Sequence, residues 1–104
     1  MNPFPRKPSA QTCLVLEALA GAGADPLYGL EIAARTKLKS GTLYPILARL
    51  SDRGLVEGEW LQPERPGRPP RHAYRLSAAG RKAVEELRKR GERSINLELA
   101  GQMT

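Results

Sequence analysis

Arg35, Lys37, Lys39, Arg49, Arg53, Arg65, Arg68, Arg71 and Arg75 place nine cations in the middle of the chain, against four acids, Asp52, Glu57, Glu59 and Glu64. Residues 1–34 carry two basic and three acidic residues, so the positive excess is local. Cations clustered in this way suit phosphate, because they neutralise a polyanion and release its counterions. Catalytic chemistry has no comparable set. His72 is the only histidine and Cys13 the only cysteine, and they stand far apart in the chain. Zinc needs three or four convergent ligands. The acids are scattered rather than paired. No nucleophile elbow, zincin pair or glycine-rich phosphate loop occurs, and Gly21-Ala-Gly23 lacks the preceding strand such a loop requires. The expectation is a binding protein, not an enzyme, with no metal site and no cofactor.

The whole chain has 104 residues, a formal charge of +6 and 40% apolar residues, enough for one small domain with a modest core. A domain of this size buries a limited share of its surface, so support from a partner subunit fits. A lone Cys13 excludes an internal disulfide and reads as a small buried hydrophobe in an apolar helix. No apolar run approaches the roughly eighteen residues of a membrane span. The opening Met1-Asn-Pro-Phe-Pro-Arg-Lys-Pro8 has no hydrophobic segment of signal-peptide character behind it. A cytoplasmic protein without membrane contact is expected.

Several elements must position these cations. Residues 1–8, with three prolines, read as an extended or loose N-terminal arm. Ser9 caps a first helix running to about Ala20, apolar nearly all round and needing cover on more than one side. Gly21 to Pro26 is a turn. Leu27 to Thr36 reads as a second helix burying Leu27, Leu30, Ile32, Ala33 and Ala34, with another backbone expected close to Gly29. Lys37-Leu38-Lys39 joins it to a third helix at helix-turn-helix spacing, with Leu38 pointing inward. That third helix runs from Gly41 to about Arg53, capped by Ser40 and stopped by Gly54. Leu43, Ile46, Leu47 and Leu50 recur every three or four residues and form its buried face. Thr42, Tyr44, Ala48, Arg49, Asp52 and Arg53 lie opposite.

Leu55 to Leu61 reads as a strand with a bulge at Gly58, and Arg71 to Leu76 as its antiparallel partner. The proline-rich Gln62 to Pro70 forms a protruding loop between them. Ser77 caps a last helix reaching about Leu99, with Val84, Leu87, Gly91, Ile95 or Ser94, and Glu98 or Leu99 tracing one stripe. The fold class expected is mainly α with a small β-wing: a winged helix-turn-helix with an additional C-terminal dimerisation helix. Its divisions are the arm 1–8, the DNA-binding domain 9–76 and the dimerisation helix 77–104. Leu16, Leu19, Val84, Leu87, Ile95 and Leu99 are the expected core and dimer contacts.

Within this frame Lys37 and Lys39 flank the N-terminus of the third helix, where free amides also favour phosphate. Ser40, Thr42 and Tyr44 lie beside them with reach for a groove or the backbone. Arg49, farther along, reaches phosphate or a base edge. Arg68 and Arg71 lie in or beside the wing loop, and Arg71 has a second reading as a brace against Glu57 or Glu59. The partner expected is double-stranded DNA. The rival is a winged-helix module that docks a protein.

The chain resembles the PadR family of bacterial transcriptional regulators in its short form. The marks are Tyr28-Gly-Leu-Glu31, then Ser40-Gly-Thr-Leu-Tyr-Pro-Ile-Leu-Ala-Arg-Leu50, Gly54-Leu-Val56, and Gly67-Arg-Pro-Pro-Arg-His-Ala-Tyr-Arg-Leu-Ser-Ala-Ala-Gly80. The resemblance implies a homodimeric repressor on a near-palindromic operator. It puts the helix carrying Ser40–Tyr44 in the major groove, the wing on adjacent DNA, and the dimer interface on the first and last helices. It also implies a small aromatic effector at that interface, as in some relatives. This chain departs from the family in having Leu27 where many relatives have a histidine, and Pro69-Pro70 where a basic residue commonly follows the first proline. Its only tryptophan is Trp60, in the wing strand rather than the last helix.

Overall fold

Ser9 and Ser77 each open a helix by accepting a backbone amide. The Ser9 hydroxyl takes the Thr12 N–H at 3.1 Å and that of Ser77 takes the Gly80 N–H at 3.0 Å. The computed structural model describes residue 4, residues 6–63 and residues 65–102, with side chains through residue 91. Four helices and three strands follow in the order α1 (Ala10–Gly21), β1 (Leu27–Tyr28), α2 (Gly29–Thr36), α3 (Ser40–Asp52), β2 (Val56–Leu61), β3 (Arg71–Leu76) and α4 (Ala78–Gln102). The strands form one antiparallel sheet in the order β1-β3-β2. This is a winged helix-turn-helix, mainly α with a small antiparallel wing and an additional C-terminal helix.

The core lies between the helices and one face of the sheet. Val15, Leu16, Leu19, Ile32, Leu43, Ile46, Leu47 and Leu50 meet Leu27, Leu55, Val56, Tyr74 and Leu76 there. The periodic stripe of α3 is buried as its spacing predicts. Gly54, at φ +73°, closes α3. Its N–H donates to the Ser51 carbonyl and the Leu55 N–H to that of Leu50, so the helix ends in a paired C-terminal turn and the chain leaves as β2. Ser77 then ties that turn to α4, its N–H donating to the Leu55 carbonyl at 3.0 Å and its hydroxyl to the Gly54 carbonyl at 2.6 Å.

Several expectations need correction. Leu27-Tyr28 is a strand paired with Ala73-Tyr74, not the first turn of α2. Starting the helix at Gly29 rotates Leu30 outward to 72% exposure, and Ala34 is exposed too. No bulge occurs at Gly58, because the β2–β3 register is unbroken from Val56↔Leu76 to Leu61↔Arg71. The N-terminal arm is not free throughout. Phe4 is buried in the core and the Arg53 guanidinium lies 5.6 Å from its ring centroid. Leu16, Leu19 and Val84 are at most 3% exposed within one chain and belong to its core. Leu87 packs half-buried beside them. The Ile95 and Leu99 side chains lie outside those described.

α4 docks on α1 through a bidentate ion pair. Arg88 donates to the two Glu17 carboxylate oxygens at 3.2 and 2.9 Å. The Arg88 bond holds the Glu17 carboxyl below its ordinary pKa, and the guanidinium is pushed up in turn. A depressed carboxylate stabilises the fold above its unfolded pKa, near 4.3, and loses that contribution as pH falls through the lower folded value. The pair is exposed, so Glu17→Gln should cost less than about 1 kcal/mol at neutral pH. The difference from the parent should vanish in melts run at progressively lower pH below 4.3. A gap that widens on acidification would contradict the sign.

Candidate nucleic-acid interface

The turn between α2 and α3 is held on both sides. Thr36, buried, donates its hydroxyl to the Ile32 carbonyl at 2.7 Å and accepts the Leu38 N–H at 3.3 Å. Lys37 takes the left-handed conformation, φ 62°, and its N–H donates to the Ala33 carbonyl at 2.8 Å, which ends α2. Leu38 turns into the core, as expected. Lys39 is extended, and its carbonyl accepts both the Thr42 and Leu43 amides at 2.9 Å. Lys39 therefore occupies the capping position and Ser40 is the first helical residue, one step earlier than the serine suggested. No side chain caps this end. Its leading amides stay open to an external acceptor, with Lys37 and Lys39 exposed beside them.

At roughly 100° per residue, Gly41, Pro45 and Ala48 point directly away from the buried stripe of α3. All three are exposed and small. Helix backbone can thus approach a surface closely, flanked by Ser40 and Tyr44 on one side and by Thr42 and Arg49 on the other. Thr42 is half-buried and Tyr44 is 44% exposed. Tyr44 leans back over the start of α2, where a side chain at buried Gly29 would collide with its hydroxyl. The close neighbour expected at Gly29 is therefore this ring, not another backbone. Exposed Arg49 borders a shallow groove with Phe4, Ser9, Thr12 and Arg53.

The wing divides its residues between the two faces of the sheet. Val56, Gly58 and Trp60 oppose Leu76, Tyr74 and His72 on the face that packs on the helices. Trp60 stacks on His72 with centroids 4.7 Å apart and planes 11° from parallel. His72 Nδ1 and the Tyr74 hydroxyl form a 3.1 Å hydrogen bond. Burial, and then neighbouring Tyr44, push the Tyr74 phenol up from its ordinary pKa. Glu57, Glu59 and Leu61 oppose Arg75, Ala73 and Arg71 on the other face. The brace to Glu57 is Arg75, at 3.3 Å, rather than Arg71. Arg71 lies 3.8 Å over the Tyr28 ring, at the edge of an open groove of about 730 Å³ shared with Leu30, Leu61, Arg65 and Arg68. Arg65 and Arg68 are exposed on the loop, which turns at Gly67, φ +89°.

The structure thus gathers Lys37, Lys39, Ser40 and Tyr44 around the first turn of α3. Arg68 and Arg71 stand apart on the wing and Arg49 on the opposite flank. The outward Gly41-Pro45-Ala48 surface carries no sequence signal of its own, because none of the three has a side chain with reach. The Trp60–His72 stack was hidden as well, although the strand register alone pairs the two residues. Among the described residues, no group of three or more His, Cys, Asp or Glu could hold a metal ion.

The sequence model of the transcriptional regulator PadR-like family matches residues 15–86. The chain belongs to that family. PadR-like regulators are non-enzymatic DNA-binding proteins, and the Tyr28–Gly80 motifs named above all fall inside the matched region. Solved structures agree. A PadR-like transcription factor from Bacteroides fragilis is 27% identical, covering 90% of this chain and 88% of that one, with a TM-score of 0.66. A PadR family transcription regulator from Clostridium difficile R20291 shares the fold at 24% identity, over 92% of this chain and all of the other, TM-score 0.70. MepR, a transcription regulator of the Staphylococcus aureus multidrug efflux pump MepA, shares it at 20% identity, TM-score 0.75, over 92% of this PadR-like chain and 66% of its own. No curated protein matched.

Proposed function

We propose that this protein is a homodimeric repressor that binds a near-palindromic operator, with α3 of each subunit in successive major grooves roughly one helical turn apart. The observation that carries the reading is the open, lysine-flanked N-terminus of α3 above a small outward face, beside a wing bearing exposed arginines. Lys37, Lys39, Arg49, Arg68 and Arg71 supply phosphate attraction. Ser40, Thr42 and Tyr44 seat the helix and read the groove. Residues 9–76 form the DNA-binding unit and 77–104 the dimerisation helix. No helix among the described residues is long and apolar enough to cross a membrane, which agrees with a regulator working in the cytoplasm.

The dimer contact falls to what the monomer core leaves over. Leu14 on α1 is 48% exposed, and Leu87 starts a stripe that the sequence continues through Ile95 and Leu99. A small aromatic effector would act at this interface. It shifts operator occupancy only by binding two dimer arrangements unequally.

Binding of labelled duplex DNA, followed by anisotropy at rising salt, tests the reading. Binding that weakens steeply with salt is expected, and salt-independent or absent binding overturns it. Thr42→Ala should cost about 1–3 kcal/mol on a selected operator while changing random-duplex affinity little. Equal losses on both would remove Thr42 from base readout. Leu14→Asp should convert dimer to monomer in sedimentation at micromolar concentration, and an intact dimer would move the interface off α1.

A further inference from the structure

Trp60 is 68% exposed, a large cost for an indole with no apparent task. It is nonetheless held firmly. One ring face lies on His72, which is anchored through Nδ1 to the largely buried Tyr74 hydroxyl. Gly58 makes this ladder possible: a Cβ there would stand 2.5 Å from His72 Nε2, so its absence lets the imidazole lie across β2. Tyr74 is itself buried in the core. An aromatic ladder therefore runs from the core along the wing, and the exposed face of Trp60 ends it.

Charge sorts the two sides of the sheet. Both β2 acids, Glu57 and Glu59, lie on the opposite face, and the Trp60 face of β2 and β3 carries none. The loop after β2 carries the exposed arginines Arg65 and Arg68, which border the groove beside Leu61 and Arg71. An exposed aromatic face whose strand residues include no acid, on the same wing as these cations, fits the sugar–phosphate edge of a duplex.

We infer that Trp60 is a DNA-contacting residue, its free indole face packing on a deoxyribose beside the groove that α3 enters. The inference rests on the DNA-binding reading above and adds to it an apolar contact that the pattern of cations does not mark. Trp60 is the sole tryptophan, so its emission reports this contact alone. A short mixed-sequence duplex at low salt is the probe. Anisotropy of the labelled duplex scores binding, and acrylamide quenching of the protein scores Trp60 in the same samples. Duplex should protect Trp60 from acrylamide. Trp60→Ala should weaken binding roughly tenfold, and Trp60→Phe should recover most of the loss. An unchanged melting temperature in Trp60→Ala separates this loss from unfolding. Unchanged quenching in a sample where anisotropy shows bound duplex overturns the assignment, as does equal affinity in Trp60→Ala. Absence of any duplex binding by the parent protein takes down the DNA reading itself, and this inference with it.

Discussion

Lys39→Glu combined with Arg68→Glu should weaken duplex binding by roughly a hundredfold at low salt, with melting temperature unchanged. Both side chains are exposed, so their reversal leaves the core untouched. Lys39 stands at the open end of α3, where its charge adds to that of the unpaired amides. Arg68 stands on a loop shaped by proline and glycine, away from the helix, so the two sample separate phosphates. The mechanism has a second signature. The slope of log affinity against log salt should become shallower by about 0.9 for each phosphate that is no longer neutralised. In a dimer each reversal acts twice, once per subunit. If the double variant binds less tightly but keeps its salt slope, the two residues act by positioning other groups. Unaltered affinity would remove the N-terminus of α3 and the wing from the interface together.

Gly80→Ala should destabilise the fold by about 2 kcal/mol, lowering the melting temperature by roughly 10 °C. Helix propensity alone predicts the reverse, a gain of about 1 kcal/mol for alanine over glycine. Packing decides the sign. Gly80 is buried in the first turn of α4, and a Cβ there would run into the Leu55 carbonyl and come within 3.2 Å of Leu76 Cδ2. The obstructing group is backbone, so it has no rotamer to escape into. Relief requires α4 to lift from the Gly54-Leu55 turn, which stretches the Ser77 bonds to the Gly54 and Leu55 carbonyls. Each is worth about 1 kcal/mol. The Ser77-Ala-Ala-Gly80 motif thus acts as a joint between the end of α3, the wing and α4. A melting temperature equal to or above the parent's would show that the joint yields freely.

The extent to which the sequence displayed this structure follows from where the information lies. α1, α3, β3 and α4 carry a cap, a stripe or a breaker within a few residues of one another, and these local signals agree with the fold. Leu27-Tyr28 is too short to have a period. It is a strand only because β3, more than forty residues on, offers it hydrogen bonds. The full burial of Leu16, Leu19 and Val84 within one chain was not legible, because a helix's own pattern does not say how many neighbours cover it. Phe4 was obscured by surrounding prolines, although a lone phenylalanine in a polar arm is itself a reason to expect a hydrophobic anchor.

The interface was legible by charge and hidden by shape. The excess of cations marks the α2–α3 turn and the wing. The outward Gly41-Pro45-Ala48 face became visible only once the buried stripe of α3 had fixed the helix's rotation. Gly29 was noticed as a close approach, yet Tyr44 could be identified as the visitor only from the packing of two helices. Trp60 and His72, twelve residues apart, become neighbours through a register that the long loop left open.

If this protein is the regulator proposed, α3 and the wing read a specific duplex as a two-fold pair. Affinity selection from random duplexes, followed by sequencing and repeated at raised salt, tests it most directly. A near-palindrome with half-sites about one helical turn apart should be recovered, and retained as salt removes the weaker binders. Recovery of duplexes without a shared motif, or of none, would contradict it.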